Sequence, residues 1–299
     1  MGAEVAAVVV TYNSARHIDA LLDSLPAAFG DVPYTTVVVD NGSTDETLTL
    51  LRRRGDCSVV ESVNDGYGAG MNKAVRYAPE SAAILVLNPD VELDAHSVPR
   101  MLDVLRRRGV GIVVPRTREA DGSLSPTLRR TPTVARAGGL SFTRLAAFAE
   151  RIEDPRAYTA EHLVDWAVGA IWLVDRACFD ALGGFDESYF LYSEETDFAL
   201  RARDRGWRSF YTPTAGAMHI GGGSGTSHET HTMLMLNRVR LIRRRRGTRA
   251  AWTYYGVTLF VELRRGLLGH RASWPTLRAL VRPARRPAAL GASDEVLPR

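Results

Sequence analysis

Cysteine is nearly absent from this chain, since Cys57 and Cys178 are the two among its 299 residues. Two isolated cysteines provide neither a disulfide framework nor the paired spacing of a zinc site, which favours a reducing compartment. Lysine is rarer still, because Lys73 is the single lysine and Arg fills the other basic positions. Such a bias is typical of codon usage, so the clustering of Arg is informative and its choice over Lys is not.

Long apolar runs are also missing. The longest uncharged, mostly apolar run near the C-terminal end, residues 250–261, has 12 residues, whereas a helix needs about 20 to cross a bilayer. The first residues pass almost directly into an apolar stretch without a basic region before it, so no secretory signal is expected. We therefore expect a cytoplasmic protein.

The charge is unevenly distributed along the chain. The net charge is +4, yet residues 237–286 contain 14 Arg and a single acid, Glu262, for a charge of +13. Residues 287–299 carry −1, which leaves −8 on residues 1–236. A basic segment attached to an acidic body indicates contact with a polyanion, either lipid head groups or nucleic acid. A solvated helix face is the ordinary alternative for a run such as residues 237–247.

Apolar, β-branched runs alternate with helix-like stretches over the first 115 residues, which predicts a mostly parallel sheet flanked by helices. The predicted strands are residues 5–11, 35–40, 58–63, 83–88 and 111–115. The predicted helices are residues 14–29, 44–54, 70–78 and 95–108. Residues 116–160 read as a loop-rich insert, and from about residue 228 the pattern becomes helical and basic.

Polar clusters follow three of the predicted strands: residues 11–13, residues 40–43 and residues 88–90. Ligands of open α/β sheets bind at the carboxyl ends of strands, so these clusters lie where a site is expected. Asp90 and Glu92 are oxygen ligands two positions apart that suit a hard divalent cation. Taken alone, they fit a proline turn with a solvated carboxylate better.

Two further motifs admit more than one interpretation. The stretch NDGYGAG, residues 64–70, misses the third glycine of a dinucleotide fingerprint, where Met71 stands. A glycine-rich turn and a loop facing a diphosphate remain equally good interpretations. His219 follows an apolar stretch, and a lone histidine is more often structural than a ligand.

Three carboxylates, Glu194, Glu195 and Asp197, stand close together in YSEETD. Like charges at this spacing raise one another's pKa when they are buried. A solvated helix start would tolerate them, and an active site would use them. Asp197 can pair with Arg201 one turn later, which makes it structural.

The order of the motifs is more specific than any one of them. VVVTYNS, VVVDNGSTD, NDGYGAGMNKA, LVLNPDVEL, GGFDESYFLYSEETDFALRARDRGW and HIGGGSG together resemble the family 2 glycosyltransferases, and among them the rhamnosyltransferase-like bacterial members. The resemblance covers roughly residues 5–245. It implies a GT-A fold, an inverting mechanism, a nucleotide-sugar donor and Mg²⁺ or Mn²⁺.

The resemblance also implies roles for individual residues. It assigns Glu195 as the general base, with Glu194 as its neighbour or substitute, and it assigns Asp90 and His219 to the metal. It assigns acceptor-side positions to Trp166 and Asp186. The residues implied in nucleotide and donor binding are Thr11, Tyr12, Asn13, Asp40, Gly68, Asn72, Asn88 and Asp90. Two positions depart from the family: Asn88 replaces an Asp, which removes one charge from the metal site, and Glu195 replaces an Asp.

The resulting expectation is transfer of rhamnose or another deoxyhexose from a dTDP- or UDP-sugar to a glycan, lipid-linked or natural-product hydroxyl. A retaining mechanism, a nucleotidyltransferase on a similar fold and a basic nucleic-acid-binding protein are the alternatives. Residues 1–235 form the predicted GT-A domain, with its nucleotide-sugar half at 1–115 and acceptor half at 116–235. Residues 236–286 form a basic amphipathic extension and residues 287–299 a disordered tail.

The extension is expected to lie on the inner face of the cell membrane. Arg243–Arg246 and the aromatic side chains of Trp252, Tyr254, Tyr255 and Phe260 suit a helix on an anionic surface. The oligomeric state stays open, a dimer included.

Overall fold

The alternation of strands and helices is present in the computed structural model, which describes residues 3–143, 145–221 and 227–290. The strands are Val5–Thr11 (β1), Tyr34–Asp40 (β2), Ser58–Glu61 (β3), Ala83–Leu87 (β4), Val91–Leu93 (β5), Val110–Arg118 (β6), Leu128–Arg129 (β7), His162–Val164 (β8), Trp166–Ala167 (β9), Ile171–Asp175 (β10) and Arg208–His219 (β11). The helices are Ile18–Phe29 (α1), Thr47–Arg53 (α2), Tyr67–Tyr77 (α3), Ser97–Leu105 (α4), Val134–Ala137 (α5), Arg176–Leu182 (α6), Glu194–Asp204 (α7), His228–Leu267 (α8) and Ser273–Val281 (α9).

Nine of the described strands form one sheet in the order β3-β2-β1-β4-β10-β6-β11-β5, with β8 also beside β11. Strands β1 to β4, β6 and β11 run in one direction, and β5, β8 and β10 run against them. The mostly parallel sheet predicted from the sequence is confirmed. Strands buried on both faces need an unbroken apolar run, which β1 provides as VAAVVVT.

Helices cover both faces of the sheet. On one face, α1 and α4 bury Leu21, Leu25 and Met101 against β1 side chains such as Val9. On the other, α3, α6 and α7 place Met71, Phe179 and Phe198 over Val8 and Val10. The sheet is thereby held rigidly enough for its strand ends to carry a site.

An antiparallel strand, β10, lies between β4 and β6. Its first residue, Ile171, is opposite Leu87, the last residue of β4. The backbone N–H of Asn88 donates to the carbonyl of Ala170 at 2.8 Å. The turn that precedes β10 is therefore beside the carboxyl end of β4.

The helical extension packs on the body of the protein. Helix α8 consists of two helical segments joined at Gly247, whose φ of 79° and ψ of 179° interrupt the helix. Side chains of α8 and α9 form a third apolar cluster that includes Leu236, Tyr254 and Leu280. The predicted domain limit at residue 235 falls inside the first segment of α8.

The end of the extension differs from the predicted tail. Ala288–Leu290 forms a 3-10 turn with a buried Leu290, and residues 291–299 of the predicted tail lie outside the described residues. Across the described ranges, no helix combines the length and apolar character needed to cross a bilayer.

Candidate active site

The carboxyl ends of β1 and β2 form the first part of the candidate site. Thr11 and Asp40 are register partners on these strands, and the Thr11 hydroxyl donates to Asp40 Oδ1 at 2.9 Å. The backbone N–H of Ser43 donates to Asp40 Oδ2 at 2.9 Å. Asn13 has a left-handed φ of 53° and accepts from the Thr44 N–H at 2.8 Å. Tyr12, between Thr11 and Asn13, is exposed.

Tyr67 connects the glycine-rich helix to the end of β4. Its hydroxyl lies 2.8 Å from Asn88 Oδ1 and 3.1 Å from the carbonyl oxygen of Gly169. Gly169 belongs to the turn before β10, so three separate segments meet at this hydroxyl. The sequence prediction missed Tyr67, although it stands in the middle of NDGYGAG.

Asp90 and His219 lie side by side, as the sequence predicted for two metal ligands. His219 Nε2 is 3.2 Å from Asp90 Oδ1. The contact arises because β11 ends at His219, opposite Val91 of β5, directly after Asp90. Burial opposes charge on both groups, yet their mutual attraction and hydrogen bond dominate, so the pKa of Asp90 is lowered and that of His219 is raised.

These two side chains suit a divalent cation that is shared with a diphosphate. Carboxylate ligands suit Mg²⁺ and Mn²⁺, and Mg²⁺ in particular completes its shell with waters and substrate phosphates. No group of three or more His, Cys, Asp and Glu side chains is arranged for a metal within the described ranges. A cation held by Asp90 and His219 would keep coordination positions for waters or substrate phosphates. The glycine run after His219 lies largely outside the described residues.

The two glutamates of YSEETD begin helix α7 inside the protein. Glu194 is 3% exposed, and Glu195 is partly exposed as a residue. The Oε2 atom of each is shielded and has no hydrogen-bond partner among the described residues. Carboxylates in the first turn are favoured by the helix dipole, which offsets part of the cost of burial. A solvated helix start is therefore excluded for this pair.

Glycines make room for the pair. A Cβ on Gly169 would lie 3.1 Å from the Cβ of Glu195, and one on Gly68 would lie 3.6 Å from the Cβ of Glu194. A Cβ on Gly66 would collide with the carbonyl oxygen of Phe190. The glycine-rich stretch thus permits a close approach of α3 to the loop that carries the glutamates.

The pKa values of the pair are raised by burial. The pKa of Glu194 lies well above its ordinary value because of burial and repulsion by Glu195. Burial also raises the pKa of Glu195, opposed by the positive charges of Arg238 and Arg129. A carboxylate with a raised pKa and a free lone pair is equipped to accept a proton near neutral pH.

The pKa of the Tyr67 hydroxyl depends on carboxylates from two parts of the site. Burial, and then the charges of Glu194, Glu195 and Asp90, raise the pKa of its hydroxyl well above the ordinary value. All three carboxylates therefore act on one buried hydroxyl. The strand-end cluster and the glutamate pair form one polar site.

A strained turn precedes the pair. Tyr192 and Ser193 have left-handed φ angles of 68° and 78°, a conformation that costs non-glycine residues about 1–3 kcal/mol each. The side-chain amide of Asn237, on α8, donates to the carbonyls of Leu191 and Tyr192 at 2.9 and 3.2 Å. The helical extension therefore holds the turn that orients Glu194 and Glu195.

Comparison with known proteins decides the family. The family model described as Glycosyl transferase family 2 matches residues 6–164, more than half of the chain. The chain belongs to glycosyl transferase family 2. The N-acetylglucosaminyl-diphospho-decaprenol L-rhamnosyltransferase of Mycobacterium tuberculosis is 34% identical over 231 residues, which cover 71% of this chain and 74% of that protein. Rhamnosyltransferase WbbL of Escherichia coli K12 is 25% identical over 220 residues, covering 71% and 81% respectively.

A solved structure confirms the GT-A fold of this glycosyltransferase. The mannosyltransferase PcManGT from Pyrobaculum calidifontis, in complex with GDP-Man and Mn²⁺, superposes with a TM-score of 0.56 at 18% identity. The match covers 98% of this chain and 86% of that one. The expected fold class, a central sheet flanked by helices with a helical C-terminal extension, is thereby confirmed.

Three predicted site residues of the glycosyltransferase are engaged elsewhere. Asn72 exchanges two hydrogen bonds with the backbone of Phe185, both 2.9 Å, so its amide holds the loop after α6. Trp166 is buried, and its indole N–H donates to the carbonyl of Arg130 at 3.0 Å. Asp186 pairs with Arg244 at 2.6 Å. These contacts give the three side chains structural partners, while the donor role of Asn72 and the acceptor-side roles of Trp166 and Asp186 stay predictions.

The start of the basic extension is also engaged internally. Arg238 forms a bidentate pair with Glu150 at 2.8 and 2.9 Å, and Arg245 pairs with Asp204 at 2.7 Å. Arg240 donates to the carbonyl of Ser188 at 2.6 Å. Much of this Arg run therefore neutralises the acidic body, which corrects the expectation that Arg243–Arg246 as a whole faces a membrane.

The aromatic residues expected on the surface of the extension divide into two groups. Tyr254 is buried, and the hydroxyl of Tyr255, which is partly buried, donates to the carbonyl of Leu280 at 3.2 Å. Trp252 and Phe260 are exposed.

Asp197 pairs with Arg201 at 2.6 Å, which confirms its predicted structural role.

Proposed function

We propose that this glycosyltransferase transfers rhamnose, or another deoxyhexose, from a dTDP- or UDP-sugar to a hydroxyl group of a lipid-linked glycan, with inversion at the sugar carbon. The observation that carries the proposal is the shielded, hydrogen-bond-free Oε2 of Glu195 beside a glycine turn. The names of the mycobacterial and Escherichia coli relatives support the sugar, and the mycobacterial name supports a diphospho-polyprenol acceptor.

The proposed base is Glu195. Its carboxylate accepts the proton of the acceptor hydroxyl while that oxygen forms a bond to C1 of the sugar. The bond between C1 and the diphosphate oxygen breaks, and the nucleoside diphosphate leaves with the electron pair. Attack opposite the leaving group inverts the configuration. Glu194 is proposed to orient the acceptor or the turn.

The donor is proposed to lie along the strand ends. The exposed ring of Tyr12 is proposed to lie against the base, with Asn13 and the buried Thr11 beside it. Asp40 receives the ribose or the base. Asn88 and Gly68 are proposed to contact the donor near the glutamates. The hydrogen bond between Tyr67 and Asn88, which joins the end of β4 to the glycine-rich helix, supports this proposal.

Asp90 and His219 would hold Mg²⁺ or Mn²⁺ together with the diphosphate. When bound, such a cation supplies charge that stabilises the departing diphosphate. The side chain of Asn88 carries no charge, so Asp90 is the one carboxylate that this motif contributes.

The test is a panel of nucleotide sugars, including dTDP-rhamnose, UDP-glucose and GDP-mannose, scored for slow donor hydrolysis with and without EDTA. We expect hydrolysis of one deoxyhexose donor, its loss in EDTA and its recovery with Mg²⁺ or Mn²⁺. Asp90→Asn should weaken metal-dependent donor binding by about tenfold, the scale of one lost charge-assisted contact. Asp103→Asn, an exposed acid on α4, is the matched control. Failure to bind or hydrolyse any nucleotide sugar would contradict the proposal.

A further inference from the structure

The second segment of α8 presents an apolar face to solvent. Trp252, Phe260, Leu263 and Leu267 are exposed by 48%, 65%, 44% and 72%. With Gly256 between the first two, their spacing of four, four, three and four residues places them on one side of the helix. We call these four side chains the apolar stripe.

The stripe has a fixed orientation because the opposite side of the same segment is packed. Ala251, Tyr254 and Glu262 are buried. Glu262 Oε2 lies 3.0 Å from His231 Nε2, on the first segment of α8. A Cβ on Gly266 would lie 3.0 Å from the ring of Trp274. The outward direction of the stripe is therefore a property of the fold.

A neighbouring loop contacts the same segment of α8. A Cβ on Gly139 would lie 3.4 Å from a methyl group of Val261. Farther along this loop, Phe142 and Leu145 are exposed by 72% and 58%. Large apolar side chains that share one exposed face, as those of the stripe do, are typical of an interaction surface.

The charge around the stripe indicates its partner. Residues 248–286 contain eight Arg and one acid, Glu262, and Arg249, Arg264 and Arg271 are exposed. An anionic bilayer takes up apolar side chains and attracts the surrounding guanidinium groups. A second copy of this chain would bring two Arg-rich borders together, which is unfavourable. Nucleic acid would match the Arg side chains and leave the apolar stripe without a partner.

We infer that the apolar stripe docks this glycosyltransferase on a bilayer that contains anionic lipids. The inference deepens the proposed function, because a lipid-linked acceptor is presented at such a surface, and that link alone depends on the proposed acceptor. Docking itself depends on the exposed face and its charge.

The experiment is co-sedimentation of the full chain with vesicles of phosphatidylglycerol and phosphatidylcholine, compared with pure phosphatidylcholine. We expect binding to the anionic vesicles that weakens as salt is added. The double variant Phe260→Ser/Leu267→Ser should bind at least about tenfold more weakly, which corresponds to about 1.4 kcal/mol. The control Tyr77→Ser/Leu163→Ser removes two apolar side chains of the body that are 64% and 50% exposed. This variant should bind as the unaltered chain does.

Three results would overturn the inference: no binding of the unaltered chain to anionic vesicles, equal binding by the stripe variant, or equal loss in the body variant. Light scattering provides a further contrary outcome, a dimer that the stripe variant dissociates without any vesicle binding. Retention on DNA in place of vesicles would also contradict it. Donor hydrolysis measured without vesicles separates the two proposals, because it should persist in the stripe variant.

Discussion

The start of α7 accommodates Glu195 because the residue opposite it is a glycine. Gly169 has no side chain, and its backbone approaches the Glu195 Cβ closely. The glutamate side chain therefore has room beside the turn before β10. The nearby positive charges of Arg238 and Arg129 moderate the effect of burial on the pKa of Glu195, and they leave that of Glu194 higher.

The pKa shifts predict a pH dependence for sugar transfer. Glu195 is active when deprotonated, so kcat/KM should rise with pH through an apparent pKa above 4.5, the ordinary value for glutamate. The acidic side of the profile should persist in Glu194→Gln, because burial, rather than repulsion by Glu194, raises the pKa of Glu195. A pH series of initial rates on both proteins measures this. A profile that moves down to the ordinary value in Glu194→Gln would show that Glu194 is charged there.

At the scale of elements, the site depends on how α8 bends. Its first segment carries Asn237, which holds the strained turn before α7, and its second segment returns to pack Tyr254 and Leu280 into the third cluster. Gly247 joins the two segments in a backbone conformation open essentially to glycine alone. A Cβ at Gly247 would meet no atom within 4 Å, so the conformation, rather than space, requires the glycine.

The bend leads to a stability prediction. Gly247→Ala should lower the free energy of unfolding by about 1–3 kcal/mol, the cost of this backbone conformation for a residue with a Cβ. Gly256→Ala lies in the same helix, also in open space, and should raise it by about 0.5–1 kcal/mol through helix propensity. Urea unfolding of both variants with an unchanged m-value makes the comparison. Equal effects of the two substitutions would contradict the role of the bend.

Periodicity predicted the elements well where local signals are strong. The predicted strand at residues 5–11 is β1 with the same limits, since its β-branched run is bounded by polar residues. The insertion of β10 between β4 and β6 was not predictable, because strand order depends on contacts between residues distant in sequence. The same holds for Asn72, whose hydrogen bonds reach a loop more than 100 residues away.

At the scale of the whole molecule, the acidic body and the basic extension are partners. Three ion pairs join them: Arg238 with Glu150, Arg244 with Asp186 and Arg245 with Asp204. The sequence shows the charge asymmetry, but it does not show which arginines of the extension form ion pairs with acids of the body. Around the second segment of α8, Arg249, Arg264 and Arg271 remain exposed.

The candidate site is likewise a product of the whole chain. The end of β4, the glycine-rich helix and the turn before β10 meet at Tyr67, and the charges of Glu194, Glu195 and Asp90 act on its hydroxyl. The sequence prediction assigned both Asp90 and His219 to a metal, and the two side chains lie together. It missed Tyr67 and Asn237, because each is important for the distant segments that its hydrogen bonds connect. A tyrosine inside a glycine-rich motif and a buried asparagine in an Arg-rich helix were the available signals.

The most direct measurement is the rate of sugar transfer by Glu195→Gln, with donor affinity determined on the same preparation. The account predicts transfer at least about 100-fold slower, the scale of a lost general base, with unchanged donor affinity because Glu195 acts on the acceptor. Glu194→Gln should lose less. Transfer by Glu195→Gln at the rate of the unaltered protein, with Glu194→Gln inactive, would contradict the assignment of the base.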